Sequence, residues 1–173
     1  MLIVVSGGSA SGKSAFAEGL ITAENSALSR IYLATMKIWD KESEHRVARH
    51  RAMRADKGFE TLECPQHLEK LQVPPDSAIL LEDLSNLTAN EWFGEARNDA
   101  NERILAGVTR LVKQSALTVI VTNELFSDGA IYDRETADYL DCLAGLNCSI
   151  AAMADRVYEV VCGLPILWKG ERI

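Results

Sequence analysis

The residues of this chain whose types and spacing could do chemistry begin at its N-terminal end, with Gly7-Gly8-Ser9-Ala10-Ser11-Gly12-Lys13-Ser14. Gly7, Gly12, Lys13 and Ser14 satisfy the pattern Gly-x-x-x-x-Gly-Lys-Ser/Thr, which needs a strand before it and a helix after it. In such a loop successive backbone N–H groups surround a phosphate, and the helix N-terminus adds partial positive charge. The lysine reaches the β- and γ-phosphates and the hydroxyl ligates Mg²⁺. Gly7, Gly8, Ser9, Ala10, Ser11, Gly12, Lys13 and Ser14 are therefore the expected phosphate cradle, with Lys13 catalytic and Ser14 a metal ligand. A glycine loop that merely joins a strand to a helix is the competing explanation. The agreement of motif and context weighs against it.

A P-loop needs a carboxylate near the metal, at the end of a second apolar strand. Glu82, which ends AILLE and is followed by Asp83, is the candidate metal and nucleotide residue. An ordinary solvent-facing strand end is the alternative there. The other informative stretch is EHRVARHRAMRADKGFETLE, residues 44–63. On a helix Arg46, His50 and Arg54 share one face. Val47, Met53 and some alanines are too few for a core stripe. Like charges at this spacing repel unless an anion meets them, so a phosphate-bearing ligand is expected there. Neighbouring cations also favour the neutral imidazole of His50, the form able to attack phosphorus. A solvated basic helix with an idle histidine fits these residues as well. His45 and His67 have no comparable setting and read as surface residues.

Elements able to position these groups alternate along the chain. Residues 2–6 form a short β-branched run, 14–20 read as a helix, 30–34 as a strand and 41–55 as a long charged helix. Residues 78–82 and 117–122 are nearly continuous apolar runs, as strands covered on both faces should be. Helices are expected over about 100–114 and 134–153, the first carrying Ile104, Leu105, Val108, Leu111 and Val112 on one face. Strands at 157–161 and 166–168 follow, and Pro74, Pro75 and Asp76 mark a loop. This alternation predicts an α/β fold, a mostly parallel sheet with helices on both faces. No repeat or linker interrupts it, so one domain over residues 1–173 is expected.

Composition restricts the partners. The chain is 47% hydrophobic and 25% charged, a globular balance. Its net charge of -7 argues against general nucleic-acid binding. No apolar run suggests a membrane span, and residues 1–6 lack the basic n-region of a signal peptide, so a cytoplasmic location is expected. Cys64, Cys142, Cys148 and Cys162 form no CxxC pair and read as reduced thiols, mainly core or helix fillers.

The order of short motifs resembles the bifunctional adenosylcobinamide kinase/adenosylcobinamide-phosphate guanylyltransferase family of cobalamin biosynthesis. The N-terminal P-loop is followed by YLAT (Tyr32 to Thr35), Asp40-x-Glu42, RVxxHxxxR (Arg46 to Arg54), Thr61-x-Glu63, LLE (Leu80 to Glu82), Asn90 and VTNE (Val121 to Glu124). Asn147, Ala151, Ala154-Asp155 and Gly163-x-Pro165 continue the pattern, so it covers nearly the whole chain. The resemblance implies a RecA-like P-loop NTPase fold and a homotrimer. It also implies two reactions: phosphorylation of the adenosylcobinamide hydroxyl by ATP or GTP, then transfer of GMP from GTP to that phosphate through a guanylylated histidine, which corresponds to His50. By the same resemblance Ala34, Thr35, Arg51, Arg54 and Glu63 line the guanine nucleotide site, Glu82 acts near the metal or nucleotide, and Arg46 and Arg54 stabilise charge.

The chain departs from the family pattern after Glu124, where a glycine-containing turn and an Ile-Val-Pro segment give way to LFSDGAIYD. Phe59 replaces a tryptophan and Cys148 a glutamine. A P-loop kinase acting on another small metabolite, or a nucleotide-binding regulatory module without transferase activity, remain the alternatives.

Overall fold

In the computed structural model the described residues are 1–24, 29–37, 57–94 and 97–171. The expected helix over residues 41–55, with His50, Arg51 and Arg54, lies outside them. The apolar runs form strands: β1 (Leu2–Gly7), β2 (Arg30–Ala34), β3 (Phe59–Glu63), β4 (Ala78–Glu82) and β5 (Leu117–Asn123). A C-terminal pair follows, β6 (Arg156–Val161) and β7 (Leu164–Lys169). The helices are α1 (Lys13–Ala23), α2 (Leu84–Trp92), α3 (Ala100–Gln114) and α4 (Arg134–Met153).

The seven strands make one sheet in the order β3-β2-β4-β5-β1-β6-β7. Every pairing is parallel except β6 with β7, which closes as an antiparallel hairpin with a register shift at Val157/Tyr158. Strands in a parallel sheet must be covered on both faces. Ile3, Val5, Leu80, Val119 and Val121 pack with Ala17 and Ile21 of α1 on one face. Leu2, Val4, Ile79, Leu81 and Ile120 face the other way, against Leu84 and Leu87 of α2, Ile104, Val108 and Leu111 of α3, and Leu143, Leu146 and Ile150 of α4. Thus α1 covers one side and α2, α3 and α4 the other, as the alternation predicts.

Two elements differ from the sequence reading. β3 pairs with β2 from Arg30↔Phe59 to Ala34↔Glu63 and forms the sheet edge; its charged alternation, FETLE, gives no apolar run. α2 is short and polar, and begins immediately after β4 because Asp83 caps it: the carboxylate accepts from Asn86 N at 2.6 Å. The cysteines divide: Cys64 and Cys142 are buried, Cys148 and Cys162 exposed, so only the first two fill core positions.

Where α3 meets the turn at Leu68–Lys70, the spacing leaves no room for a side chain. A Cβ on Gly107 would lie 2.7 Å from Leu68 Cγ and 2.9 Å from Glu69 N, and the backbone contact cannot rotate aside. Alanine is worth about 1 kcal/mol over glycine in a helix interior, but overpacking costs about 1–3 kcal/mol. Gly107→Ala should therefore destabilise the fold despite its better helix propensity, read as a lower urea midpoint.

Burial pushes the thiols of Cys64 and Cys142 from 9.0 up to about 11. Burial, with the nearby Asp83 carboxylate, pushes the Tyr139 phenol from 10.0 up to about 12. The folded chain holds these protons more tightly than the unfolded one. Their contribution is complete below the unfolded values and falls as pH rises through the folded ones. Urea midpoints should decline across that alkaline window, and Tyr139→Phe should make the upper part of the decline shallower.

Candidate active site at the C-terminal ends of the strands

Parallel register brings the expected site residues to one edge of the sheet. Gly7 lies opposite Asn123 of β5, and Ala34 lies between Glu63 on β3 and Glu82 on β4. The P-loop leaves β1 directly into α1, with Gly12 as N-cap at φ 94. That left-handed conformation suits a residue without a side chain. The cap forms no side-chain hydrogen bond and the first turn carries no acidic residue, so the helix N-terminus is open to an anion.

The cradle fits phosphate. A Cβ at Gly8 would meet nothing within 4 Å, leaving open space against the backbone. Lys13, only 8% exposed, folds back so that Nζ donates to Gly8 O at 3.1 Å. Ser11 Oγ is buried without a hydrogen-bond partner, a condition that costs stability unless a ligand or water supplies one. The Ser14 hydroxyl donates to Glu82 Oε1. Hydroxyl and carboxylate oxygens are a hard donor set suited to Mg²⁺. Of the sequence-expected residues, Lys13, Ser14 and Glu82 are therefore brought together; Ala34, Thr35 and Glu63 stand further along the same edge.

Asp83 does different work from its neighbour Glu82. Besides Asn86 N, its carboxylate accepts from Ser85 Oγ at 2.7 Å, Asn86 Nδ2 at 3.2 Å and Asn123 Nδ2 at 3.0 Å. Thr35 Oγ1 accepts from Asp83 N at 2.7 Å and donates to Asp83 O at 2.8 Å. Asn90 of α2 donates to Thr35 O at 2.8 Å and to Pro65 O at 3.0 Å. Beyond it, Gln66 donates to Asn90 O at 2.6 Å and accepts from Lys37 Nζ at 3.0 Å. This network ties the ends of β2, β4 and β5 together. Sequence reasoning missed Ser85, Asn123, Gln66 and Lys37; an aspartate at an N-cap position before a short helix was the available signal.

Two further charged groups resolve as structural. Lys57, at the end of the basic stretch, pairs with Glu18 of α1, so this cation is already committed within the fold. Among the described residues, His67, Glu69 and Glu91 bring a histidine and two carboxylates close enough to share an ion. The Arg103 guanidinium lies among them, 3.0 Å from Glu69 Oε1 and 3.5 Å from Glu91 Oε2, and supplies the positive charge itself. His67 remains exposed, as read from the sequence.

Removing the Asp83 carboxylate strips a helix cap and takes from Asn123 one of its two acceptors, leaving it Ser85 Oγ. Asp83→Ala should lower unfolding free energy by about 1–2 kcal/mol, the usual cost of a lost cap, measured by urea denaturation.

Comparison with known proteins bears on this arrangement. The family model for cobinamide kinase / cobinamide phosphate guanyltransferase matches residues 3–167. The bifunctional adenosylcobalamin biosynthesis protein CobU of Salmonella typhimurium is 33% identical over 96% of this chain and 98% of its own length. Its Escherichia coli counterpart is 32% identical over the same shares. CobP of Pseudomonas aeruginosa is 29% identical over 97% of both chains. Among solved structures, the flagellar accessory protein FlaH of Methanocaldococcus jannaschii matches with a TM-score of 0.53 at 12% identity, over 98% of this chain and 78% of that one. A KaiC-like protein of Pyrococcus horikoshii OT3 matches at 0.51 and 13%, over 91% and 71%. These two likenesses support the P-loop, RecA-like fold. With a family model spanning nearly all of the sequence and relatives aligned almost end to end, this chain belongs to the cobinamide kinase / cobinamide phosphate guanyltransferase family.

Proposed function

We propose that this chain, acting as one domain over residues 1–173, phosphorylates adenosylcobinamide and then converts the product to adenosylcobinamide-GDP. Family membership supports both activities. The observation that carries the first is the open helix N-terminus with Lys13 laid across the P-loop and Ser14 directed at Glu82. ATP or GTP occupies this cradle, its phosphates held by backbone N–H groups and Lys13. Ser14 and Glu82 would hold Mg²⁺, which would neutralise charge on the phosphates. The substrate hydroxyl oxygen bonds to the γ-phosphorus as the β–γ bridging P–O bond breaks, leaving a nucleoside diphosphate, and the hydroxyl proton passes to solvent. Little covalent work falls to the protein here; placement and charge stabilisation dominate.

The second reaction is assigned to His50, with Ala34, Thr35, Arg51, Arg54 and Glu63 around the guanine nucleotide. An imidazole nitrogen bonds to the α-phosphorus of GTP as the α–β bridging bond breaks and pyrophosphate leaves. The phosphate of the first product then displaces the imidazole. Dividing one displacement into two suits a histidine nucleophile. The alignment of Ala34, Glu63 and Glu82 at the sheet edge supports a second nucleotide position beside the P-loop. The family resemblance favours a homotrimer, and the sequence reading adds a cytoplasmic location. No described helix is long and apolar enough to cross a membrane.

Incubation with Mg²⁺ and α-labelled GTP, denaturation and peptide mapping should find an acid-labile, base-stable label at His50. His50→Ala should abolish that label and guanylyl transfer while part of the kinase activity survives. Equal loss of both activities in a folded His50→Ala protein would sink the transferase-specific role. Turnover without any covalent label would favour a simple kinase.

A further inference from the structure

The segment after β5 leaves the sheet where an acceptor must stand. Glu124 N donates to Gly7 O at 3.0 Å, so the first peptide of the segment is bonded to the first residue of the P-loop. Ser14, at the start of α1, donates to Glu82 on β4, and β5 runs between β1 and β4. The end of the triphosphate that this pair serves therefore lies over the end of β5. A nucleophile approaches phosphorus opposite the leaving oxygen, so the hydroxyl comes from outside the cradle and the rest of the acceptor lies beyond it. Residues 124–133 border that space. They run from the P-loop to Asp133, which caps α4 by accepting from Thr136 N at 2.8 Å.

This segment is braced and yet uncovered. Glu124 Oε1 accepts from Phe126 N at 2.9 Å and from Ser127 Oγ at 3.0 Å. The Asp128 carboxylate accepts from Ala130 N at 2.9 Å and from the Tyr132 hydroxyl. Leu125, Phe126, Ile131 and Tyr132 are all exposed, Ile131 completely, and none packs in either core cluster. An apolar group held in water forgoes the stabilisation that burial would give, and several on an ordered loop beside a site mark a binding surface. The charged residues here are Glu124, Asp128 and Asp133, with no lysine or arginine between 124 and 133. An alkylcobalt(III) corrin without a phosphate is a cation, since the charge of the metal exceeds that of the corrin and alkyl anions bound to it. Its ring is edged with methyl groups and amides. We propose that residues 124–133 are the surface that takes the corrin ring of the acceptor. Leu125, Phe126, Ile131 and Tyr132 meet its hydrocarbon edge, and the carboxylates match its charge. This rests on the kinase reading above and adds the ring position to it. The departure from the family pattern after Glu124 then sets the affinity for corrinoid and leaves that for nucleotide alone.

The double variant Phe126→Ser/Ile131→Ser removes two of these apolar side chains, and because neither fills the core its urea midpoint should match the wild type. Equilibrium dialysis with adenosylcobinamide should give a Kd raised about tenfold. Dialysis with labelled ATP and Mg²⁺ should give an unchanged one. KM for adenosylcobinamide in the kinase assay should rise with its Kd. In the wild-type chain chymotrypsin, which cuts after aromatic residues, should cleave at Phe126 or Tyr132. Saturating adenosylcobinamide should slow that cleavage, and ATP with Mg²⁺ should not. An unchanged corrinoid Kd in the variant, cleavage undiminished by bound corrinoid, or equal protection by ATP would each overturn the assignment while leaving the kinase reading intact. Protection present without any ligand and fading on dilution would make the segment a contact between copies, which also rejects it. Failure of the wild-type chain to bind adenosylcobinamide would remove both this proposal and the kinase reading.

Discussion

A parallel strand cannot leave either face in water, and this constraint organises the molecule. β1, β4 and β5 are apolar nearly throughout, so each must be buried above and below and return by a crossover. Each crossover sends the chain out at the C-terminal edge. The P-loop after β1, Thr35 after β2, Cys64 after β3, Asp83 after β4 and Glu124 after β5 therefore collect on one rim. The chemistry of the site is placed by a packing requirement that makes no reference to nucleotides.

Burial alone would leave that rim loose. The Asp83 carboxylate, with four donors around it, joins the start of α2 to the end of β5, and its own backbone is clasped by Thr35 at the end of β2. Glu82 is the residue before it and is directed instead at Ser14. Two adjacent carboxylates thus divide the labour. One is consumed in holding the rim, which leaves the other positioned by it. The exchange of roles by mutation would be costly, because Asp83 has no spare oxygen site to offer a cation without giving up the cap.

What the sequence disclosed divides along the same line. β1, β4 and β5 were legible because strands buried on both faces write themselves as continuous apolar runs, and the P-loop because its glycines have no core role. β3 was not, because an edge strand needs fewer buried side chains; FETLE has none that is fully buried. α2 was hidden by its length and polarity, although Asp83 announces its start. The Lys57–Glu18 pair and the Ser85–Asn123 bond join residues 39 and 38 positions apart, and such meetings have no local signature. Ser14 and Glu82, expected from the sequence as metal ligands, meet in the structure, because a P-loop and a strand-end carboxylate express a chemical requirement and not merely a fold.

The sheet also sets how the two proposed reactions share one rim. β1 and β2 are separated by β5 and β4, three interstrand steps, which is about 14 Å at the usual spacing of 4.7–4.9 Å. The proposed P-loop phosphate position and the proposed guanine nucleotide position near Ala34 and Glu63 cannot then be one location. A hydroxyl attacking a γ-phosphorus at the first would have to travel that distance, as a phosphate ester, to meet an α-phosphorus at the second. In the proposed sequence the product of the kinase step is itself the nucleophile of the transfer step, so that reading requires the acceptor phosphate to be carried between two positions on one rim rather than react where it forms.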